Sequence, residues 1–188
     1  MIMLTNLKKR DDLGEWLNQH GLLGTGLEVG SLDGEFARTV ISKWNGKMLV
    51  MLDPWERQDP EIYKEPVNDR DWGSAHASCQ ALADEYPGRI RLVKDYSPQA
   101  SAYFSDGELD WIYIDANHSY DACSADLIAW WPKVKGGGLF GGHDARNEII
   151  PPQNCEVKRA LEDWTNEYKL PFPYITKYPG CYSWWIIK

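Results

Sequence analysis

The chain has few cysteines, and they are not arranged for a metal site or a disulfide framework. Its 188 residues include four, at positions 79, 123, 155 and 181, without a Cys-x-x-Cys pair. Zinc sites built on cysteine need closely spaced pairs, and small disulfide-stapled folds use many more cysteines for their length. We therefore expect reduced thiols in a cytoplasmic protein.

Long apolar runs are also missing. No segment approaches the roughly 20 apolar residues that a membrane-spanning helix needs. Residues 1–6 lack the basic-then-apolar order of a secretory signal. The sequence therefore predicts neither a membrane partner nor secretion.

Positive charge is scarce. Lys and Arg number 20 against 28 Asp and Glu, which gives a formal net charge of −8. A surface of this sign repels phosphate backbones unless a basic patch overrides it. The only basic cluster, at residues 8–10, is followed at once by two aspartates. We expect a small-molecule substrate and no nucleic acid partner; the sequence does not indicate an oligomeric state.

The glycine pattern of dinucleotide-binding folds is absent from its expected place. Gly24, Gly26 and Gly30 lie before and at the end of a predicted strand, not around the turn after it. The strand end and its turn read Glu-Val-Gly-Ser-Leu-Asp-Gly at 28–34, and a helical pattern begins at residue 35. Strand, glycine turn and helix form a cradle for a polar ligand, because glycine permits close backbone approach and helix-start amides face the ligand.

Strand and helix patterns alternate along the chain. With 43% hydrophobic residues, residues 1–188 suit one domain with a sizeable core. The nearly continuous apolar run at 47–52 is typical of a parallel strand buried on both faces. We predict a doubly wound, Rossmann-like α/β sheet that is mostly parallel and closes with an antiparallel hairpin around a Pro179-Gly180 type II turn. The predicted strands are 27–29, 47–52, 89–94, 109–114, 136–142, 173–177 and 181–187, and the predicted helices are 11–23, 35–44, 73–86, 99–104, 121–131 and 155–168.

Asp53 ends the second predicted strand. An acid at this place can accept hydrogen bonds from a ribose diol, although Asp53-Pro54 is also turn chemistry. Together with the glycine turn upstream, ribose binding is favoured. The irregular stretch 54–72, directly after Asp53, is either a lid over a ligand or an insertion without a role.

The order of these features resembles the class I S-adenosylmethionine-dependent methyltransferases over nearly the whole chain. The resemblance rests on Glu-x-Gly-x-x-x-Gly at 28–34, the strand–helix alternation and the final hairpin. Two further segments, Tyr-Ile-Asp-Ala-Asn-His-Ser-Tyr at 113–120 and Gly-Gly-Gly-Leu-Phe-Gly-Gly-His-Asp at 136–144, resemble small-molecule O-methyltransferases. The likeness is greatest to macrocin-type sugar O-methyltransferases and weaker to catechol-type enzymes.

The resemblance implies S-adenosylmethionine as cofactor and places its contacts at strand ends. Glu28 would lie near the ammonium group, and Asp53 would hold the ribose hydroxyls. Further cofactor contacts fall on the glycine turn (Gly30, Ser31, Gly34), on Asp95 for the adenine amino group, on Tyr96 or Trp55 for the adenine ring, and on Asp115.

The resemblance also implies the reacting groups. His118 matches a proposed general base, and a histidine with a reference pKa near 6.5 can accept a hydroxyl proton at neutral pH. Asp115 and Asp144 match metal ligands. Position 143, where related enzymes usually offer a carboxylate, is histidine here, and imidazole suits Zn or Fe-like ions better than Mg. Asn117 or Asn147 could help two carboxylates to hold Mg weakly, so metal dependence stays open.

Each of these residues has a structural alternative. Asp115 could cap the following helix, His118 could be a structural histidine, and His143 and Asp144 could pair with each other. The competing functions are an N-methyltransferase, a non-catalytic cofactor-binding protein and a nicotinamide-dependent oxidoreductase. The first often carries Asn/Asp-Pro-Pro-aromatic after the fourth strand, where this chain has Asp-Ala-Asn-His. The glycine spacing disfavours the last, and the polar residues at the strand ends argue against the second.

Overall fold

Seven strands form one central sheet in the computed structural model, which describes residues 4–150, 153–178 and 181–188. Their spatial order is β3-β2-β1-β4-β5-β9-β8, with β1 to β5 parallel and β9 antiparallel to both neighbours. A separate two-stranded hairpin pairs β6 with β7. The strands are β1 Thr25–Val29, β2 Met48–Asp53, β3 Ile90–Lys94, β4 Leu109–Ile114, β5 Val134–Gly142, β6 Glu148–Ile150, β7 Gln153–Cys155, β8 Tyr174–Tyr178 and β9 Cys181–Ile187.

Helices cover both faces of the sheet. The helices are α1 Leu13–Gln19, α2 Glu35–Ile41, α3 Trp72–Glu85, α4 Ser97–Ala100, α5 Tyr120–Trp130 and α6 Val157–Tyr168. One apolar core lies between the sheet and α1, α2 and α3, and a second lies between the sheet and α4, α5 and α6. Successive residues of β2 alternate between the cores, since Val50 and Leu52 join the second and Leu49 and Met51 the first. Burial on both faces explains the continuous apolar run of this strand.

The predicted doubly wound sheet with a closing antiparallel hairpin is confirmed. The predicted type II turn at Pro179-Gly180 lies outside the described residues. The predicted helix at 11–23 is shorter in the structure, because residues 10–12 form a 3₁₀ turn and Gly21 adopts a φ of 68° after the helix. The sequence analysis also missed the small β6–β7 hairpin.

Register determines which residues meet at the carboxyl edge of the sheet. Val29 of β1 lies opposite Leu52 of β2 and Ile114 of β4, and Ile114 lies opposite Gly142 of β5. The residues that come directly after these four strand positions, at 30, 53, 115 and 143, are therefore side by side. Among the described residues, no helix has the length and apolar character required to cross a membrane.

Candidate active site

A cavity of about 300 Å³ opens at the carboxyl ends of β1, β2 and β4. This volume is at the lower end of the range for small-molecule pockets. The position is where open α/β sheets bind ligands. Eight residues singled out from the sequence line it: Glu28, Gly30, Ser31, Asp53, Asp95, Asp115, Asn117 and His118.

The glycine turn after β1 is packed against the end of β4. Gly30 has a φ of 85°, and a Cβ atom there would lie 2.1 Å from the Asp115 carbonyl oxygen. Only glycine fits this position without displacing backbone. Gly34, also left-handed with a φ of 84°, is the N-cap of α2 and does not line the cavity.

Glu28 lies at the inner wall of the cavity and is almost completely buried. Its Oε2 atom has no hydrogen-bond partner within the described ranges. Burial raises the pKa of this carboxyl well above its usual value, and the nearby carboxylates of Asp115 and Asp53 add to that effect. A buried carboxyl oxygen without a partner is costly, so the site favours a ligand that brings a cationic donor to Oε2 of Glu28.

Asp53 is fixed by two backbone amides. Its Oδ2 accepts from Leu32 N at 3.0 Å, and its Oδ1 accepts from Trp55 N at 2.8 Å. Burial raises the pKa of Asp53, although these hydrogen bonds oppose the increase. Each carboxylate oxygen can accept a second hydrogen bond, so Asp53 can still bind a diol in the cavity.

Asp95 closes the far end of the cavity. It accepts hydrogen bonds from the Tyr103 hydroxyl and, at 2.7 Å, from Tyr96 N. The Tyr96 ring is outside the cavity lining, and its hydroxyl donates to Glu56 at 2.7 Å.

Trp55 supports the site from behind. The structure places this buried ring outside the cavity lining. It is tilted by 44° against the His76 ring at a centroid distance of 4.7 Å, and its indole N–H donates to Leu32 O at 2.7 Å. Trp55 therefore holds the glycine turn rather than facing a ligand, and neither ring predicted to pack on adenine is placed in the cavity wall.

Asp115, His118 and His143 form a cluster at one side of the cavity. The Asp115 Oδ1 atom lies 3.4 Å from His118 Nε2 and 3.6 Å from His143 Nδ1. One potential ligand atom from each residue lies within 4.8 Å of the others. The alternative role of Asp115 as a helix cap is not seen, because Ser119 is the N-cap of α5 and its amide donates to Asn117 Oδ1.

Asp144 lies beside the cluster. Its Oδ1 is 3.2 Å from His143 Nδ1, and its Oδ2 accepts from Arg146 Nη2 at 3.0 Å. The contact with His143 and the charge of its imidazole outweigh burial and lower the pKa of Asp144 to about 2. The pairing of His143 and Asp144 and a role of both in metal binding are compatible with this geometry.

Two residues that sequence reasoning did not single out hold the cluster in place. Glu65, from the stretch between β2 and α3, lies with its Oε1 3.0 Å from His118 Nδ1. Arg10, before α1, donates from Nη1 to Asp115 Oδ2 at 3.3 Å. Both line the cavity.

These contacts set the charge state of the cluster. Burial would lower the pKa of His118, but its contacts with Asp115 and Glu65 raise it well above the usual value. Burial would likewise raise the pKa of Asp115, whereas the contact with His118 and the charge of His143 lower it. The two carboxylates that contact His118 therefore favour its protonated form.

Comparison with known proteins identifies the fold. The sequence profile of a family described as a methyltransferase domain matches residues 27–145, which span β1 to just beyond β5. The chain belongs to the class I S-adenosylmethionine-dependent methyltransferases. Among curated proteins, none matches the sequence significantly.

Solved structures similar to this methyltransferase share the fold at low identity. A protein from Staphylococcus aureus, provisionally described as a caffeoyl-CoA O-methyltransferase, has a TM-score of 0.66 at 15% identity, over 100% of this chain and 85% of that one. A spermidine synthase from Thermotoga maritima has a TM-score of 0.59 at 14% identity, over 99% of this chain and 59% of that one. A SAM-dependent methyltransferase from Aquifex aeolicus has a TM-score of 0.55 at 15% identity, over 97% of this chain and 95% of that one. Likenesses at this identity show the fold alone.

Proposed function

We propose that this methyltransferase transfers the methyl group of S-adenosylmethionine to a hydroxyl group of a small molecule. One observation carries the proposal: the Asp115–His118–His143 cluster lies directly beside the cofactor cavity. Methyl transfer to oxygen needs a group that takes or displaces the hydroxyl proton, and this cluster supplies it at the place where a methyl acceptor would meet the cofactor.

The cavity offers hydrogen-bond acceptors for each polar part of the cofactor. Glu28, with its partnerless buried oxygen, would bind the ammonium group of the methionine part. Gly30 and Ser31 allow that part to approach the backbone, Asp53 would accept from the ribose hydroxyls, and Asp95 from the adenine amino group. Supporting this arrangement, these five residues line one continuous cavity.

The chemistry is an in-line displacement at the methyl carbon, in which positioning of acceptor and donor supplies much of the rate. His118 is the proposed general base: its Nε2 would accept the hydroxyl proton as the oxygen attacks. Since its pKa is raised, His118 is fully available as a base only at pH values above that pKa. A divalent ion at the cluster would supply the complementary effect by lowering the pKa of the acceptor hydroxyl.

The sequence after β4 favours a hydroxyl group over a nitrogen atom as the methyl acceptor. That segment reads Asp-Ala-Asn-His at 115–118 and lacks the Asn/Asp-Pro-Pro-aromatic motif frequent in N-methyltransferases. The net charge of −8 argues for a small acceptor over a nucleic acid.

Transfer of labelled methyl groups tests the proposal. The protein is incubated with methyl-labelled S-adenosylmethionine and parallel sets of sugars, phenols and amines, and products are located by mass spectrometry. We expect label on oxygen, and a loss of roughly 100-fold or more in His118→Ala, the usual scale for a general base. His20→Ala is the matched control, because it removes a histidine at the C-terminal end of α1, outside the cavity and the cluster. Label only on amines, or full activity in His118→Ala, would contradict the proposal.

A further inference from the structure

The cluster beside the cavity contains two imidazoles and one carboxylate. We infer that Asp115, His118 and His143 bind a divalent transition metal of the Zn²⁺ or Fe²⁺ kind in preference to Mg²⁺. The inference deepens the proposed function, on whose site it rests, by naming the class of ion that the site takes. It also makes His118 a metal ligand through Nε2. That atom cannot accept the hydroxyl proton while it binds an ion, so with the ion bound the ion would take over this role by lowering the pKa of the acceptor hydroxyl.

The distances within the cluster are those of metal ligands rather than of hydrogen bonds. Asp115 Oδ1 lies 3.4 Å from His118 Nε2 and 3.6 Å from His143 Nδ1. N–H···O hydrogen bonds are usually 2.7–3.2 Å long. Two ligand atoms about 2.0–2.1 Å from a tetrahedral metal lie about 3.4 Å apart. The distances from Asp115 Oδ1 to the two imidazole nitrogens therefore match two of the ligand-to-ligand distances in a tetrahedral site.

Two buried atoms at the cluster are left without good hydrogen bonds. His118 Nε2 and Asp144 Oδ1 are inaccessible to solvent and make no hydrogen bond to any residue that the structure describes. Buried polar atoms in native proteins nearly always have a partner, and an unplaced ion is one of the recognised reasons for an exception. His118 Nε2 faces Asp115 Oδ1, so an ion between them would satisfy it.

The surroundings prepare His118 as a ligand. Glu65 Oε1 lies 3.0 Å from His118 Nδ1. When Nδ1 donates its proton to Glu65, Nε2 is the nitrogen left to bind an ion. A carboxylate behind a metal-binding histidine is the usual arrangement around such ligands. Arg10 contacts the other oxygen of Asp115, Oδ2, and leaves Oδ1 to the imidazoles.

The charge around the cluster also favours a cation. The carboxylates of Asp115, Asp144 and Glu65 outnumber the guanidinium groups of Arg10 and Arg146. Because Asp115 and His118 also line the cavity, an open coordination position would face it, where the acceptor oxygen is expected.

The same residues fit Mg²⁺ poorly. Mg²⁺ prefers an octahedron of oxygen ligands, whereas imidazole suits Zn, Fe and related ions. The two amide oxygens that could add ligands each already accept one hydrogen bond, Asn117 Oδ1 from Ser119 N and Asn147 Oδ1 from Arg159 N, which leaves one lone pair on each. The ligand set of this chain therefore differs from the carboxylate-rich set that the family resemblance implies.

Metal binding to the chelator-treated full chain, without cofactor or acceptor, tests the inference. Calorimetry measures Zn²⁺ and Mg²⁺ binding, and visible absorption of Co²⁺ reports imidazole ligation. We expect one Zn²⁺ per chain, bound at least 100-fold more tightly than Mg²⁺. His118→Ala and His143→Ala should each weaken Zn²⁺ binding at least tenfold, Glu65→Gln should weaken it less, and His143→Asp should shift the preference towards Mg²⁺.

His20→Gln is the control, because His20 is a histidine outside the cluster whose Nδ1 already pairs with the Trp16 carbonyl oxygen. Circular dichroism of each variant verifies folding. Mg²⁺ binding as tight as Zn²⁺, or Zn²⁺ binding that survives both cluster substitutions, would overturn the inference. S-adenosylmethionine binding is measured separately on the same samples, so that failure of the metal site and failure of the proposed function give different results.

Discussion

At the scale of single residues, Glu28 gives the sharpest prediction about the cofactor. Burial raises the pKa of Glu28 well above its usual value, so without a ligand this carboxyl keeps its proton to a higher pH than a solvent-exposed glutamate does. An ammonium group that binds there would favour the carboxylate, and cofactor binding should therefore release a proton. Glu28→Gln should weaken S-adenosylmethionine binding about 10- to 100-fold, the scale of a buried charge-assisted contact.

Calorimetry in buffers with different ionisation enthalpies measures both effects of the Glu28 substitution. The proton released on binding by the wild type should be absent in Glu28→Gln. Glu15→Gln, an exposed acid on α1, serves as the control. Unchanged affinity and unchanged proton release would show that Glu28 does not meet the ammonium group.

Asp126 predicts how stability depends on pH. Burial raises the pKa of this α5 carboxyl to about 7, although the Ser97 hydroxyl donates to it. The unfolded value is about 3.9, so between about pH 4 and 7 the folded state binds more protons and loses stability as pH rises. Asp126→Asn removes this penalty, and its stability relative to wild type should increase by about 1–3 kcal/mol between pH 5 and 8.

Urea unfolding of both proteins at pH 5 and pH 8 measures the difference at Asp126. Asp121→Asn, which removes an exposed carboxyl from the same helix, controls for net charge. An equal difference at the two pH values would mean that Asp126 is not a buried protonated acid.

At the scale of elements, the stretch between β2 and α3 behaves as an ordered cover for the site. Asn68 is buried, and its side chain bonds Gln58 N, Gln58 O and Tyr63 O at 2.8–3.0 Å. These contacts fix the turn that presents Glu65 to His118. Of the two interpretations left open by the sequence, this geometry favours a lid.

Asn68→Ala should loosen this cover without unfolding the sheet. It leaves buried backbone groups unpaired, at a cost of about 1–3 kcal/mol confined to this stretch. Limited proteolysis should cut between residues 54 and 71 about tenfold faster, and S-adenosylmethionine binding should weaken. Asp69→Ala, which removes an exposed ion pair with Arg57, should change neither. Equal cleavage of both variants would count against the lid.

Some elements of the site are readable from the sequence because they depend on local patterns. The apolar runs of β2 and β4 reveal strands, and the polar residue after each run, Asp53 or Asp115, then falls at the ligand edge of a parallel sheet. Gly30 can be predicted in the same way, because a glycine at the end of an apolar run and shortly before a helical pattern indicates a tight turn between strand and helix.

Other parts of the site depend on contacts that carry no periodic signal. Glu65 and Arg10 reach the cluster from segments outside the sheet and the α-helices, 53 and 105 positions away from their partners. Trp55 looked available for stacking on a ring, but its φ of 41° and its bond to Leu32 O turn it into the core. Only the tertiary structure decides these orientations.

At the scale of the whole molecule, one sheet organises both halves of the site. Register brings positions 30, 53, 115 and 143 to the same edge of the sheet. The residues proposed to bind the cofactor, at the ends of β1 and β2, therefore share that edge with the cluster after β4 and β5. The central claim is that this edge binds S-adenosylmethionine for methyl transfer.

Calorimetric titration with S-adenosylmethionine, its demethylated product and NAD tests that claim most directly. We predict that the first two bind one per chain in the micromolar range, that NAD does not bind, and that Asp53→Ala weakens binding at least tenfold. Binding of NAD without binding of S-adenosylmethionine would contradict the account.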